Sequence, residues 1–257
     1  MKLRTLGGGL LAALALAGCT EPAFSRAANP AEAFRQANAE LRARLATENA
    51  TTSPAADLAT HGPLVRQAFD VAILSSSEAQ DFAALNGWCA EVADTMDAYS
   101  MAGAPADVLP DIAQGYAGIN AIAYEAELAL ATRFSIACIA TSVTMVDELV
   151  RTSPSSDLTA VRRMHAQRLR DEAAGIYVDV ILSATGGGIA PETVALFRET
   201  AQRAPAFAAI MTPTQRATVV AIIDEISPGL ERRSIKSHLA AVRAAVAAEG
   251  CTGLCGL

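Results

Sequence analysis

The chain has 257 residues, 52 % of them hydrophobic but only 5 % aromatic, so it has ample material for a core built from small side chains. About one residue in five is alanine, the strongest helix former and a poor source of buried area, and this points to closely packed helices rather than sheet. Formal charge is −7, or −9 once Lys2 and Arg4 leave with the first 18 residues, and such an acidic surface argues against nucleic acid as a partner.

The first predicted element is a secretory signal. Residues 1–5 carry two positive charges, and residues 10–17 (LLAALALA) form an apolar run too short to cross a bilayer. At its end Leu16, Ala17, Gly18 and Cys19 resemble the lipobox of bacterial lipoproteins: Leu, two small residues and the cysteine that is acylated. The resemblance implies cleavage before Cys19, a diacylglycerol on its thiol and acylation of the new amine. Two or three acyl chains anchor stably where one holds only marginally. The expected division is therefore 1–18 signal peptide, 19–29 acylated cysteine and short tether, and 30–257 helical domain. In enterobacterial lipoproteins an Asp after the cysteine marks inner-membrane retention; Thr20 stands here, which implies the outer membrane. Ordinary signal peptidase sites also occur at Ala15-Leu16-Ala17 and Ser25-Arg26-Ala27, but neither accounts for a cysteine placed at residue 19.

Asn29 and Pro30 predict a helix start, N-cap followed by first-turn proline, with the helix running to about residue 48. After a polar break, residues 63–74 predict a shorter helix. Ser75-Ser76-Ser77-Glu78 has capping-box spacing and opens a regular helix with Phe82, Leu85, Cys89, Val92, Met96 and Tyr99 on one inward stripe. A helical region follows from about Val108 to Val150. Its middle, 134–146 (FSIACIATSVTMV), is apolar all round and marks a central helix rather than a membrane span, because charges bracket it too closely. Further helices are expected at 157–184, from Pro191 to a break at Pro205, from Thr212-Pro213 onward, and at 230–248. Thr185 to Gly188 (TGGG) is read as a helix stop. The β-branched run 176–182 (IYVDVIL) lacks turn signals at both ends and stays helical. The expected fold class is all-α, a single bundle of about seven to nine helices.

Four cysteines besides Cys19 suggest disulfides in an exported protein. Cys251 and Cys255 are close in a glycine-containing turn; Cys89 and Cys138, on inward stripes, either form a staple across the bundle or pack as free thiols. His61, His165 and His238 form no HExxH or ExxH pattern, and no metal or other cofactor is expected. His165 shares a face with Val161 and Leu169 and is read as a core or boundary residue.

Glu125, Glu127 and Asp179 lie among apolar residues, where a buried carboxylate needs a cation or hydrogen-bond donors. They mark either a ligand cavity or structural acids, in interhelical salt bridges, for instance with Arg133, or simply facing water. Arginines at 162, 163, 168 and 170 alternate with acids as on a solvated helix face. Residues 211–216 (MTPTQR) are similar to the LTxxQ element of small helical periplasmic stress chaperones; that family carries it twice, this chain once and with Met for Leu. No GxSxG, SxxK or phosphate-loop pattern occurs. Two functions are expected from this pattern. One is a non-catalytic protein anchored by acyl chains on Cys19 to the periplasmic side of the envelope, binding or scaffolding an envelope component. The other is a small-molecule binder or enzyme with a cavity near Glu125, Glu127 and Asp179.

Overall fold

Asn29 opens the first helix as its chemistry requires: its side chain accepts a hydrogen bond from the Ala31 N–H at 2.8 Å, and Pro30 occupies the first turn. The computed structural model describes residues 29–46, 58–105, 107–154, 156–248, 250–251 and 253–257, so the proposed signal, Cys19 and the tether as far as residue 28 lie outside the described residues. Nine α-helices are found among the described residues: α1 (Pro30–Leu45), α2 (Leu58–Ala68), α3 (Phe82–Ser100), α4 (Pro110–Ala123), α5 (Glu125–Thr152), α6 (Ala160–Leu182), α7 (Pro191–Ile210), α8 (Pro213–Ile226) and α9 (Arg233–Ala248). No β-strand occurs among them, and the fold is all-α.

Two cores share α5 as their common wall. On one side Phe134, Ala137 and Cys138 join α1, α2 and α3 in an aromatic core, where Phe34 stacks on Phe134 at 5.2 Å and meets Trp88 edge-on at 6.3 Å. On the other side Ile136, Ala140, Val143 and Val150 join α6 to α9, where Tyr177 stacks on Phe207 at 4.1 Å. Burial of each large apolar side chain contributes about 1.5–3 kcal/mol. A helix apolar on all sides is thus explained without a bilayer, although α5 is long and apolar enough to cross one.

Contacts along the first core fix the directions of its helices. Phe34 meets Trp88 and Arg42 reaches Thr95, so α1 and α3 run parallel. Cys89 pairs with Cys138 and Tyr99 meets Tyr124, so α5 runs antiparallel to both. The N-terminus of α1 and the α4–α5 junction therefore lie towards opposite ends of α1, a helix about 24 Å long at 1.5 Å per residue over its 16 residues.

Several expected boundaries move. The second helix starts at Leu58, with Pro63 inside it, and the run to Leu74 finishes as a 3₁₀ turn, Val71–Ser75. Ser75 to Glu78 does not cap α3. Ser76 leads only into a 3₁₀ turn without a side-chain cap bond, whereas the Asp81 carboxylate accepts from both Ala83 and Ala84 N–H, at 2.7 and 3.2 Å. An ionised acceptor of two orphan donors outcompetes a serine hydroxyl. Phe82 then begins the helix and faces outward, while Leu85, Val92 and Tyr99 are buried. The region 108–150 is divided at Tyr124 (φ −111°, ψ 32°), whose ring is buried against Tyr99. Pro205 does not break α7. Its ring is on the exposed face, and buried Ala204, Phe207, Ala208 and Ile210 hold the helix across it. Gly187 (φ 69°) ends the α6 region in the left-handed conformation expected of TGGG.

Candidate functional site

Glu125, in the first turn of α5, reaches across to the start of α7. Ala190 is the N-cap of that helix and has no side chain able to cap it. The Glu125 carboxylate takes over the task, accepting from the Ala190 N–H at 2.8 Å and the Thr193 hydroxyl at 2.6 Å. Gly188 leaves room for this approach: a Cβ there would lie 2.6 Å from the carboxylate oxygen and push the Glu125 head aside. Burial works against ionisation of Glu125, but the hydrogen bonds from Thr193, Ala190 and Ile189 and the charge of Arg232 outweigh it and hold the carboxyl below its ordinary range. Arg232 is fixed in turn by donating to the carbonyls of Ile189 and Ala190. Glu125 is thus an N-cap borrowed from another helix.

The other two acids do not join it. Glu127 is buried, also in the first turn of α5, where the helix dipole favours a carboxylate. Asp179 is exposed: Tyr177, Val180 and Ile181 turn inward, and the intervening aspartate faces solvent. Arg133 pairs with neither Glu125 nor Glu127. It meets Glu199 at 3.3 Å, and Arg203 meets the same buried carboxylate at 2.9 Å. A cavity of about 460 Å³ lies between the loop 184–189 and residues 226–235, with Ile189, Ile226, Leu230 and Ile235 as apolar wall and Arg232 at its edge. None of Glu125, Glu127 and Asp179 lines it.

His165 is exposed, as is Val161 on the same face, which corrects the reading of His165 as a core or boundary residue. Burial, then the charge of Arg198, pushes the His238 imidazole down. The side chain of His61 lies outside the described ones. No group of three or more His, Cys, Asp or Glu among the described residues is arranged to hold a metal ion. Arg168 pairs with Glu172 on the outer face of α6. Thr212 and Gln215 form a reciprocal capping box at the start of α8, and Gln215 also donates to Asp171 at 2.9 Å; the TxxQ spacing has a local structural use.

Both cysteine pairs are joined, Cys89 to Cys138 and Cys251 to Cys255. The second closes a C-terminal loop that sequence reasoning did not place. Leu254 is fully buried in the second core, and its N–H donates to the buried carboxylate of Asp147 at 2.8 Å. Arg151 pairs with that carboxylate at 2.7 Å, Gln167 donates to the Leu257 carbonyl, and Gly253 (φ 63°) makes the turn.

The feature that stands apart is α4. Its inner side consists of small and partly buried residues, and Asn120 fastens it by donating to the carbonyls of Ser100 and Ala102 at 2.9 and 3.1 Å. Its outer side is apolar and bare. Ile112, Ile119 and Ile122 are 52, 68 and 83 % exposed, with Leu109 beside them at 66 %. Positions 112, 115, 119 and 122 follow the 3-4 spacing of a helix-packing seam. Exposed single apolar residues are ordinary, but a stripe along one helix marks an interaction surface. No protein-family model, curated protein or solved structure matches this chain.

Proposed function

We propose that the protein is a lipid-anchored, non-catalytic component of the bacterial envelope that binds or scaffolds another envelope protein through α4. Acyl chains on Cys19 hold it to the membrane on the periplasmic side, in the outer rather than the inner membrane. The observation that carries this reading is the apolar outer stripe of α4. Its point of attachment supports it: the proposed tether joins the chain at the start of α1, whereas Asn120 of α4 is fastened to the carbonyls of Ser100 and Ala102 at the end of α3, beside the other end of α1. The acids singled out for a ligand cavity argue the same way, since Glu125 is engaged in capping α7, Asp179 faces solvent and none lines the cavity.

Co-purification from detergent-solubilised envelope tests the reading, with wild-type protein compared against an Ile119→Ser/Ile122→Ser double variant. The expected result is a partner retained by wild type and lost by the variant, with mass spectrometry showing diacylglycerol on Cys19 in both. A mature chain beginning unmodified at Gly18 or Ala28 contradicts the anchor. An unchanged set of partners contradicts the role of α4.

A further inference from the structure

We propose that the bare face of α4 receives a basic amphipathic helix of a partner protein, apolar side on Ile112, Ile119 and Ile122, lysines or arginines against the surrounding acids. The inference rests on the docking role of α4 and specifies the chemistry of what docks.

Charge is the first argument. Between Arg66 and Arg133 the sequence holds ten acidic residues and no Lys, Arg or His. Some of these acids are occupied: Glu91 pairs with Arg42 at 2.7 Å, Glu125 caps α7, and Asp70 and Asp81 cap their own helices. Asp94, Asp97, Asp107 and Asp111 are different. All four are exposed, and none forms an ion pair with any described residue. Asp107 and Asp111 stand at the N-terminal end of α4. Asp97 is one turn before Ser100, whose carbonyl holds Asn120 near the C-terminal end of α4. Exposed acids without an ion pair among the described residues therefore stand at the N-terminal end of α4, and Asp97 is on the α3 turn next to the carbonyl that fastens its C-terminal end.

A pair of glycines in the helix points the same way. Gly115 and Gly118 each weaken a helix interior by about 1 kcal/mol relative to alanine. Neither has a reason inside the fold: a Cβ added at either position meets nothing within 4 Å, and neither has a positive φ. What they do is lower the surface between Ile112 and Ile119, so that a second backbone can approach the seam. The stripe from Ile112 to Ile122 is about 15 Å long at 1.5 Å per residue, enough for nearly three turns of a partner helix. A second copy of this chain would bring the same acids against these, and anionic headgroups would be repelled in the same way; a cationic helix is attracted.

The test uses the full mature chain carrying Cys19→Ser, which has no acyl chain, and fluorescent 14-residue probe peptides read by anisotropy. The probes are a Leu/Lys amphipathic helix, the same peptide with Glu for Lys, and a Leu/Lys sequence scrambled to destroy the apolar face. The proposal expects the Leu/Lys helix to bind at least about tenfold more tightly than either control, with affinity falling as salt rises. Ile119→Ser/Ile122→Ser should weaken it by about tenfold or more. Gly115→Leu, which keeps the surface apolar but fills the notch, should also weaken it. The combined substitutions Asp94→Asn, Asp97→Asn, Asp107→Asn and Asp111→Asn should reduce both affinity and salt dependence. Circular dichroism of each variant confirms that it is folded.

If the Glu peptide binds as well and Ile119→Ser/Ile122→Ser still abolishes binding, the charge assignment is overturned while docking on α4 stands. Should no probe respond to the isoleucine substitutions, docking on α4 falls as well. Binding by the scrambled peptide equal to that of the helix, or self-association of the chain that the double variant removes, also overturns the proposal.

Discussion

Glu125 distinguishes a structural carboxylate from a functional one, and replacing it gives a measurable answer. In Glu125→Ala the N–H of Ala190 and the hydroxyl of Thr193 lose their acceptor, and among the described residues the N-cap of α7 has no other side chain to accept from it. Loss of an N-cap removes about 1 kcal/mol, and charge-assisted hydrogen bonds contribute about 1.5–3 kcal/mol. Because the site is partly open to water, a net loss of about 2 kcal/mol is expected. Glu125→Gln keeps one acceptor oxygen and should lose about half as much. The pH dependence has a definite sign. The folded-state carboxyl is held below its ordinary value of 4.5, so its contribution is fully present above that pH and is lost as pH falls through the lower folded value. Urea unfolding followed by circular dichroism from pH 3 to 7 should show this acid loss in wild type and a reduced one in Glu125→Gln. A Glu125→Ala protein as stable as wild type, or more stable, would refute the cap and return Glu125 to the candidates for ligand binding.

The two disulfides should differ in strength. Cys89 and Cys138 close a separation of 49 residues, worth ~4 kcal/mol by chain entropy, whereas Cys251 and Cys255 close only 4, worth ~2 kcal/mol; double Cys→Ala variants compared by urea unfolding should preserve that order. At the C-terminal loop, Leu254→Ala empties a fully buried site and should cost about 2–5 kcal/mol. Asp147→Asn weakens the same contact and should cost about 1–3 kcal/mol, and hydrogen exchange should show the 253–257 turn opening before the rest of the second core.

What could be read from the sequence was what neighbouring residues decide among themselves. Asn29 with Pro30 and Thr212 with Pro213 carry their own capping chemistry, and both helices start where those residues stand. The all-round apolarity of 134–146 foretold a central helix surrounded by others; that it is α5 with a separate core on each side was not foretold. Long-range partners were not legible. The acceptor for Ala190 is 65 residues away in Glu125, and Leu254 finds Asp147 across 107. The division at Tyr124 has no glycine or proline to announce it, because a buried contact with Tyr99 makes it. Asp179 is a different case. Helical periodicity through Tyr177, Val180 and Ile181 turns it outward, which is the water-facing alternative that the sequence left open. The exposure of α4 was hidden: both of its faces are apolar or small, so periodicity alone does not say which one is covered.

The most direct test of the account is photocrosslinking in the intact envelope from a photoreactive residue placed at Ile119, compared with one at Ala241 on the exposed side of α9. Docking through α4 predicts a discrete protein adduct from position 119, absent from 241 and suppressed when Asp107 and Asp111 are changed to Asn. Adducts that are equal at both positions, or that contain only lipid or a second copy of this chain, would contradict it.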